Sequence, residues 1–148
     1  MHYNKPVARL LILALCLTLI AGCKTDAKTA SERIEETTSA EATKMPKDPK
    51  DAEVFTRLKT AGHDFKKPTK ATFYLYFPEE GAARGALQVL STDGYTGKIT
   101  QGDSKWLCEL QKEIVLTADT IDMERFKFRD MTVNSGGEYE GWDAPPVK

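Results

Sequence analysis

Residues 69–77 read TKATFYLYF, and no other stretch constrains the fold as strongly. A run of β-branched and aromatic side chains favours an extended strand, buried on one or both faces. Such a strand carries unpaired backbone groups along both edges, so it demands partner strands and a covering layer. Disulfides offer no substitute for that packing. Of the cysteines at 16, 23 and 108, the first two fall in or beside an N-terminal apolar segment, which leaves Cys108 alone in the body of the chain.

The remaining elements follow from periodicity. Val54, Phe55, Leu58 and Ala61 have helical spacing from about residue 51, and Gly62 is the expected C-cap. After the strand, Pro78 suits a first helical turn, with Glu79 and Glu80 favourable at its N-terminus. Ala83, Ala86, Leu87 and Leu90 form the stripe of that second helix, which ends at Asp93-Gly94. Gly81 and Gly85 weaken it and point to close packing against a neighbour. Residues 95–101 form a strand, 102–104 a turn, and 105–116 a longer strand in which Trp106, Cys108 and Leu110 alternate with Leu107, Glu109 and Gln111. A third helix runs from Thr117 or Asp119 to Asn134. Ile121, Phe128 and Met131 share one side of it, while Met123, Phe126 and Val133 form a second stripe for the first helix or a partner. Gly136-Gly137 ends it, and residues 138–143 make a last short strand. The predicted class is α+β: a leading helix, then β-α-β-β-α-β, the ferredoxin-like split β-α-β arrangement with a four-stranded antiparallel sheet.

The start of the chain has the parts of a secretory leader: Lys5 and Arg9, an apolar core at 10–20, and the small pair Ala21-Gly22. The core is about half the roughly 20 residues that a membrane-crossing helix needs. Ile20-Ala21-Gly22-Cys23 resembles the lipobox of bacterial lipoproteins, in which the cysteine thiol takes a diacylglyceryl group and becomes the mature N-terminus. Domain boundaries are therefore expected at 1–22 (leader), 23–50 (lipid anchor and tether) and 51–148 (folded domain). An ordinary signal peptide and an uncleaved anchor are the alternatives. Two or three acyl chains give lasting membrane attachment. Lys24, where aspartate favours inner-membrane retention, points to the outer membrane facing the periplasm. Residues 24–50 hold only Ile34 and Met45 as large apolar side chains, too few to offset the entropy of ordering.

Loss of residues 1–22 removes two basic residues and no acidic one, moving the formal net charge from −1 to −3 with no basic block. Nucleic acid is therefore not an expected partner. His63 stands beside Asp64, but no accompanying nucleophile or oxyanion site is evident, which favours a turn or capping role. Cys108 reads as a small buried apolar residue. With one histidine and one thiol, no metal site is expected. Glu138 and Glu140 alternate on a strand roughly 7 Å apart, a spacing shared with inverting glycosidases but also with any such acidic pair. Lys66, Lys67 and Lys70 suit a solvated turn better than a headgroup contact. No cofactor or small-molecule substrate is indicated.

The run GGEYEGWD at 136–143 resembles the GGEYDGW signature of the regulator of ribonuclease E activity B family. LKTAGHD at 58–64, FYLYFPEE at 73–80 and Asp93-Gly94-Tyr95 are similar to that family in the same order, so the resemblance spans residues 54–143. It implies a small protein that binds a ribonuclease and inhibits it without being an enzyme. Glu140 stands where the family usually has Asp, and the leader and the Pro145-Pro146-Val147-Lys148 ending depart from the cytoplasmic, acid-tailed pattern. A protein partner is expected at Gly137, Glu138, Tyr139, Glu140 and Trp142, because tyrosine and tryptophan are enriched at interface hot spots. Equally, Tyr139 and Trp142 fill a core while the glutamates face water.

Overall fold

A computed structural model describes residues 44–148; the leader, Cys23 and most of the expected tether lie outside the described residues. Helix α1 (Pro49–Thr60) is followed by β1 (Pro68–Phe77), α2 (Glu80–Thr92), β2 (Thr96–Gln101), β3 (Trp106–Val115), α3 (Ala118–Val133) and β4 (Glu138–Asp143). The sheet order is β2-β3-β1-β4, with every neighbouring pair antiparallel. Each β-α-β crossing therefore skips one strand: β3 lies between β1 and β2, and β1 lies between β3 and β4. That is the split connectivity expected from the element order. No helix among the described residues is long and apolar enough to cross a membrane.

The central strand β1 alternates strictly. Thr69, Ala71, Phe73, Leu75 and Phe77 are buried, whereas Thr72, Tyr74 and Tyr76 are only half-buried. Its inner face meets Leu110 and Cys108 of β3 across the register, and Ala83, Ala86, Leu90, Ile121 and Phe128 of α2 and α3 complete the same core. All three helices thus leave the other sheet face uncovered, a half-wet surface of the kind antiparallel sheets sustain.

Local chemistry explains the element ends. Asp48 caps α1 by accepting the Lys50 N–H at 3.0 Å, with Pro49 in the first turn, so this helix starts two residues before the expected position. At its other end Gly62, at φ +77°, donates to Lys59 O while the His63 N–H reaches Leu58 O, a Schellman closure that leaves Ala61 exposed. Helix α2 closes in the same pattern at Gly94. Pro78 stands outside α2, which begins at Glu80 after an N-cap at Glu79. Gly81 and Gly85 do not mark close packing: both are exposed, and a β-carbon at either would meet nothing within 4 Å.

Helix α3 mixes charged with apolar residues on its buried face, which also carries Ala118, Ile121, Phe128 and Thr132. Its buried face includes Glu124 and Arg125, whereas Met123 and Phe126 are each 66% exposed and Val133 72%. Glu124 accepts the Tyr95 hydroxyl and pairs with Lys127 at 2.6 Å, which satisfies its charge. Arg125 pairs with Asp48 at 2.8 Å, with Asp51 at 3.3 Å and with Asp122. Helix α1 does not cover the second apolar stripe.

Candidate partner-binding surface

Strand β4 is an edge strand, and α1 packs against it. It enters through Gly136, at φ +65°, and Gly137, where a β-carbon would lie 2.3 Å from Tyr76 O. The backbone of β1 approaches too closely there for any side chain. Farther along, the pairing slips: Leu75 faces Tyr139 and Tyr74 faces Gly141, so Glu140 has no partner residue. This is a β-bulge, with Gly141 at φ +148°.

The bulge decides which way the signature points. Tyr139 and Trp142 are three residues apart and would fall on opposite faces of a regular strand. With one residue inserted, both turn inward, opposite Leu75 and Phe73. The Tyr139 ring packs 5.5 Å from Phe128, and Trp142, 5% exposed, meets Phe55 edge-on at 5.8 Å. The Trp142 indole N–H donates to Asp51 Oδ1 at 2.9 Å, tying β4 to α1. The two aromatic candidates therefore present their rings to the core, while Glu138 and Glu140 face water.

Around that bond sits an acidic cluster in which Asp51 is buried and Asp48 and Asp122 are half-buried. Asp48, Asp51 and Asp122 share the one guanidinium of Arg125. Burial pushes the Asp51 carboxyl above its ordinary value, against the lowering effects of the Trp142 hydrogen bond and Arg125. Asp48 is also pushed up by burial, but the Lys50 N–H and Arg125 outweigh it and leave its pKa lowered. The Tyr139 hydroxyl is enclosed without a partner, and burial, then the Asp51 charge, raises its pKa.

The exposed carboxylates each have a lysine. Glu138 pairs with Lys105 of the β2–β3 turn at 2.7 Å, and Glu140 with Lys50 of α1 at 3.4 Å. Both line an open hollow of about 540 Å³ with Tyr76, Asp103 and Ser104. A second hollow, about 310 Å³, lies between Tyr74, Val54 and Gly141. Together with half-buried Leu107 and with Lys98, which pairs with Glu109 at 3.2 Å, they make a continuous surface of aromatic centres and charged rims. Tyr74 and Tyr76 were not among the expected site residues. Their signal is the alternation of hydroxylated and plain aromatics in FYLYF, which separates the wet face from the dry one.

Other candidates have structural placements. His63 is 7% exposed, and its Nδ1 accepts the Val147 N–H at 2.9 Å, pinning the final residues beside α1. Lys67 reaches Lys148 O at 2.9 Å, whereas Lys66 and Lys70 are exposed. Cys108 is fully buried, and burial pushes its thiol up to about 11.

A search among curated proteins returns no match. Residues 48–144, more than half of the chain, match the family model described as regulator of ribonuclease activity B. That span runs from the cap of α1 to the end of β4 and contains the whole sheet, so the chain belongs to the regulator of ribonuclease activity B family.

Proposed function

We propose that this protein is a lipid-anchored, non-catalytic regulatory module that binds a protein partner across the open face of its sheet. Family membership over residues 48–144 is the observation that supports the regulatory part of the reading, because the family is described as a regulator of ribonuclease activity. Tyr74, Tyr76 and Leu107 supply the desolvated centre, and Glu138, Glu140 and Lys105 the polar rim. Rigid aromatics surrounded by charge are the composition of protein interfaces. Glu138 and Glu140 set register and orientation there, while Gly137, Tyr139 and Trp142 hold the strand that presents them. Cys23 carries the lipid, and the domain works at the envelope, on the periplasmic side of the outer membrane.

A second reading is favoured by the family description itself: regulation of a ribonuclease inside the cell. Membrane fractionation with external protease access separates the two, comparing the native chain with Cys23→Ala. The envelope reading expects a native chain that is membrane-bound and cleaved from outside, and a released variant. A protected cytoplasmic domain overturns it and makes ribonuclease inhibition the leading activity. Crosslinking through Tyr76 in envelope extracts then identifies the partner; a Tyr74→Ser, Tyr76→Ser variant that is folded yet crosslinks equally well moves the binding surface elsewhere.

A further inference from the structure

We infer that residues 145–148 form a strap that a single proton unlatches: protonation of His63 at Nδ1 takes away the acceptor of the Val147 N–H, and the strap leaves while the sheet stays packed. The closure of α1 builds the seat. Gly62, at φ +77°, turns the chain, and the His63 N–H reaches Leu58 O at 3.0 Å. This fixes the imidazole beside the helix end, with the residue 7% exposed and the Phe65 ring edge-on to it at 4.7 Å.

Four hydrogen bonds hold the strap. The Asp64 N–H donates to Val147 O at 2.7 Å, the Val147 N–H to His63 Nδ1 at 2.9 Å, the Thr69 hydroxyl to Pro145 O at 3.1 Å and the Lys67 ammonium to Lys148 O at 2.9 Å. Mild acid leaves three of them unchanged, because main-chain amides, a hydroxyl and an ammonium group do not titrate there. The bond to His63 differs. It needs a bare lone pair on Nδ1, which places the ring proton on Nε2. An imidazolium carries N–H on both nitrogens, so two donors would face each other and Val147 must withdraw. Nε2 is enclosed with no partner among the described residues, so the added charge finds no acceptor inside and is solvated only when the ring is uncovered.

Charged side chains stand on every element around the ring. Arg57 and Lys59 lie in the last turn of α1, Asp64, Lys66 and Lys67 in the following turn, and Lys148 in the strap. Arg57 is engaged by Asp143 and Lys67 by Asp64 at 3.7 Å, while Lys59, Lys66 and Lys148 are exposed. Burial disfavours the imidazolium and prevails over the Asp64 charge, which favours it, so the latched ring titrates below its ordinary value. The released ring binds the proton more tightly. The strap is therefore fully latched above about pH 6.5, and the latched fraction falls as pH drops toward the lower latched value.

The test is amide hydrogen exchange of the full chain by NMR from pH 7.5 to 5, with rates corrected for intrinsic chemistry. Opening at Asp64 and Val147 is compared with opening at Phe73 in the central strand. The expected result is that both amides open more often than Phe73 at every pH, and that their opening rises by up to about tenfold per pH unit below about pH 6.5. Opening no more frequent than at Phe73 overturns the inference, because the strap then leaves only with the fold. A pH-independent Val147 overturns it as well. Ring nitrogen shifts at pH 7.5 should show Nδ1 unprotonated; a proton on Nδ1 refutes the latch. His63→Gln supplies a carbonyl acceptor that does not titrate, so its profile should be flat, and a persisting rise assigns the titration to another group. Asp64→Asn retains an oxygen for the Lys66 N–H, which Asp64 Oδ1 accepts at 3.0 Å, but removes the charge that favours the imidazolium. Its onset of opening should move to lower pH, and an onset that stays or rises counts against the proposal even where His63→Gln fails to fold.

Discussion

Replacement of Trp142 by phenylalanine tests whether the signature run is core, as its geometry dictates. The substitution keeps a ring between Phe55 and β1 but removes the indole N–H that Asp51 accepts at 2.9 Å. Two losses follow. The smaller ring leaves roughly 40 Å³ unfilled, which at about 24 cal/mol per Å³ costs about 1 kcal/mol. Loss of a hydrogen bond to a buried carboxylate, with Arg125 already shared among three aspartates, costs about 2 kcal/mol more. The sum, about 3 kcal/mol, corresponds to a fall of roughly 15 °C in Tm for a domain of this size. Urea titration of the native chain, Trp142→Phe, Asp51→Asn and the double variant yields the coupling energy directly, provided m is constant across the set. The pair should couple by about 1 kcal/mol or more. A Trp142→Phe protein that melts with the native one, or a coupling near zero, refutes this account. Trp142 would then be free to serve as an interface anchor.

Gly85→Ala should stabilise the protein by about 0.5–1 kcal/mol in the same urea assay, because the position is an exposed helix interior with open space around a β-carbon. Gly137→Ala should destabilise it by more than about 2 kcal/mol, since the added methyl meets Tyr76 O and the strand must move. Burial holds His63 below its ordinary pKa against the opposing charge of Asp64, and its Nδ1 must be unprotonated to accept the Val147 N–H. The folded state therefore binds that proton less well than the unfolded chain. Stability is full above the unfolded value of about 6.5 and declines as pH falls toward the lower folded one, by at most about 1.4 kcal/mol per pH unit. His63→Gln should abolish that decline in thermal melts taken from pH 7.5 to 5. The Cys108 thiol, buried and raised to about 11, should react with a thiol reagent only at the rate of global unfolding.

Much of the fold is legible in the chain because its signals are local. The alternation in TKATFYLYF separates the two faces of β1, and Gly62, Gly94 and Gly136 mark three helix ends where only glycine turns the backbone without strain. Strand count and element order then leave few topologies open. The misread positions also have local causes. Gly81 and Gly85 weaken a helix with no neighbour to justify them, and Pro78 lies just outside the helix it was expected to open.

What the sequence determined by itself was the set of elements, the single uncross-linked core and the Cys23 pattern that frames the lipid question. The tertiary structure alone decided which side chains each element buries. Tyr139 and Trp142 face the core because a bulge at Glu140 shifts the register, and no periodicity announces an inserted residue. Glu124 and Arg125 are buried because their partners arrive from Tyr95 and from the start of α1, far away along the chain. Charge is tolerated inside a protein only where opposite charge and donors converge on it, and convergence is a property of the fold. The same arrangement leaves Met123, Phe126 and Val133 exposed on the other side of α3.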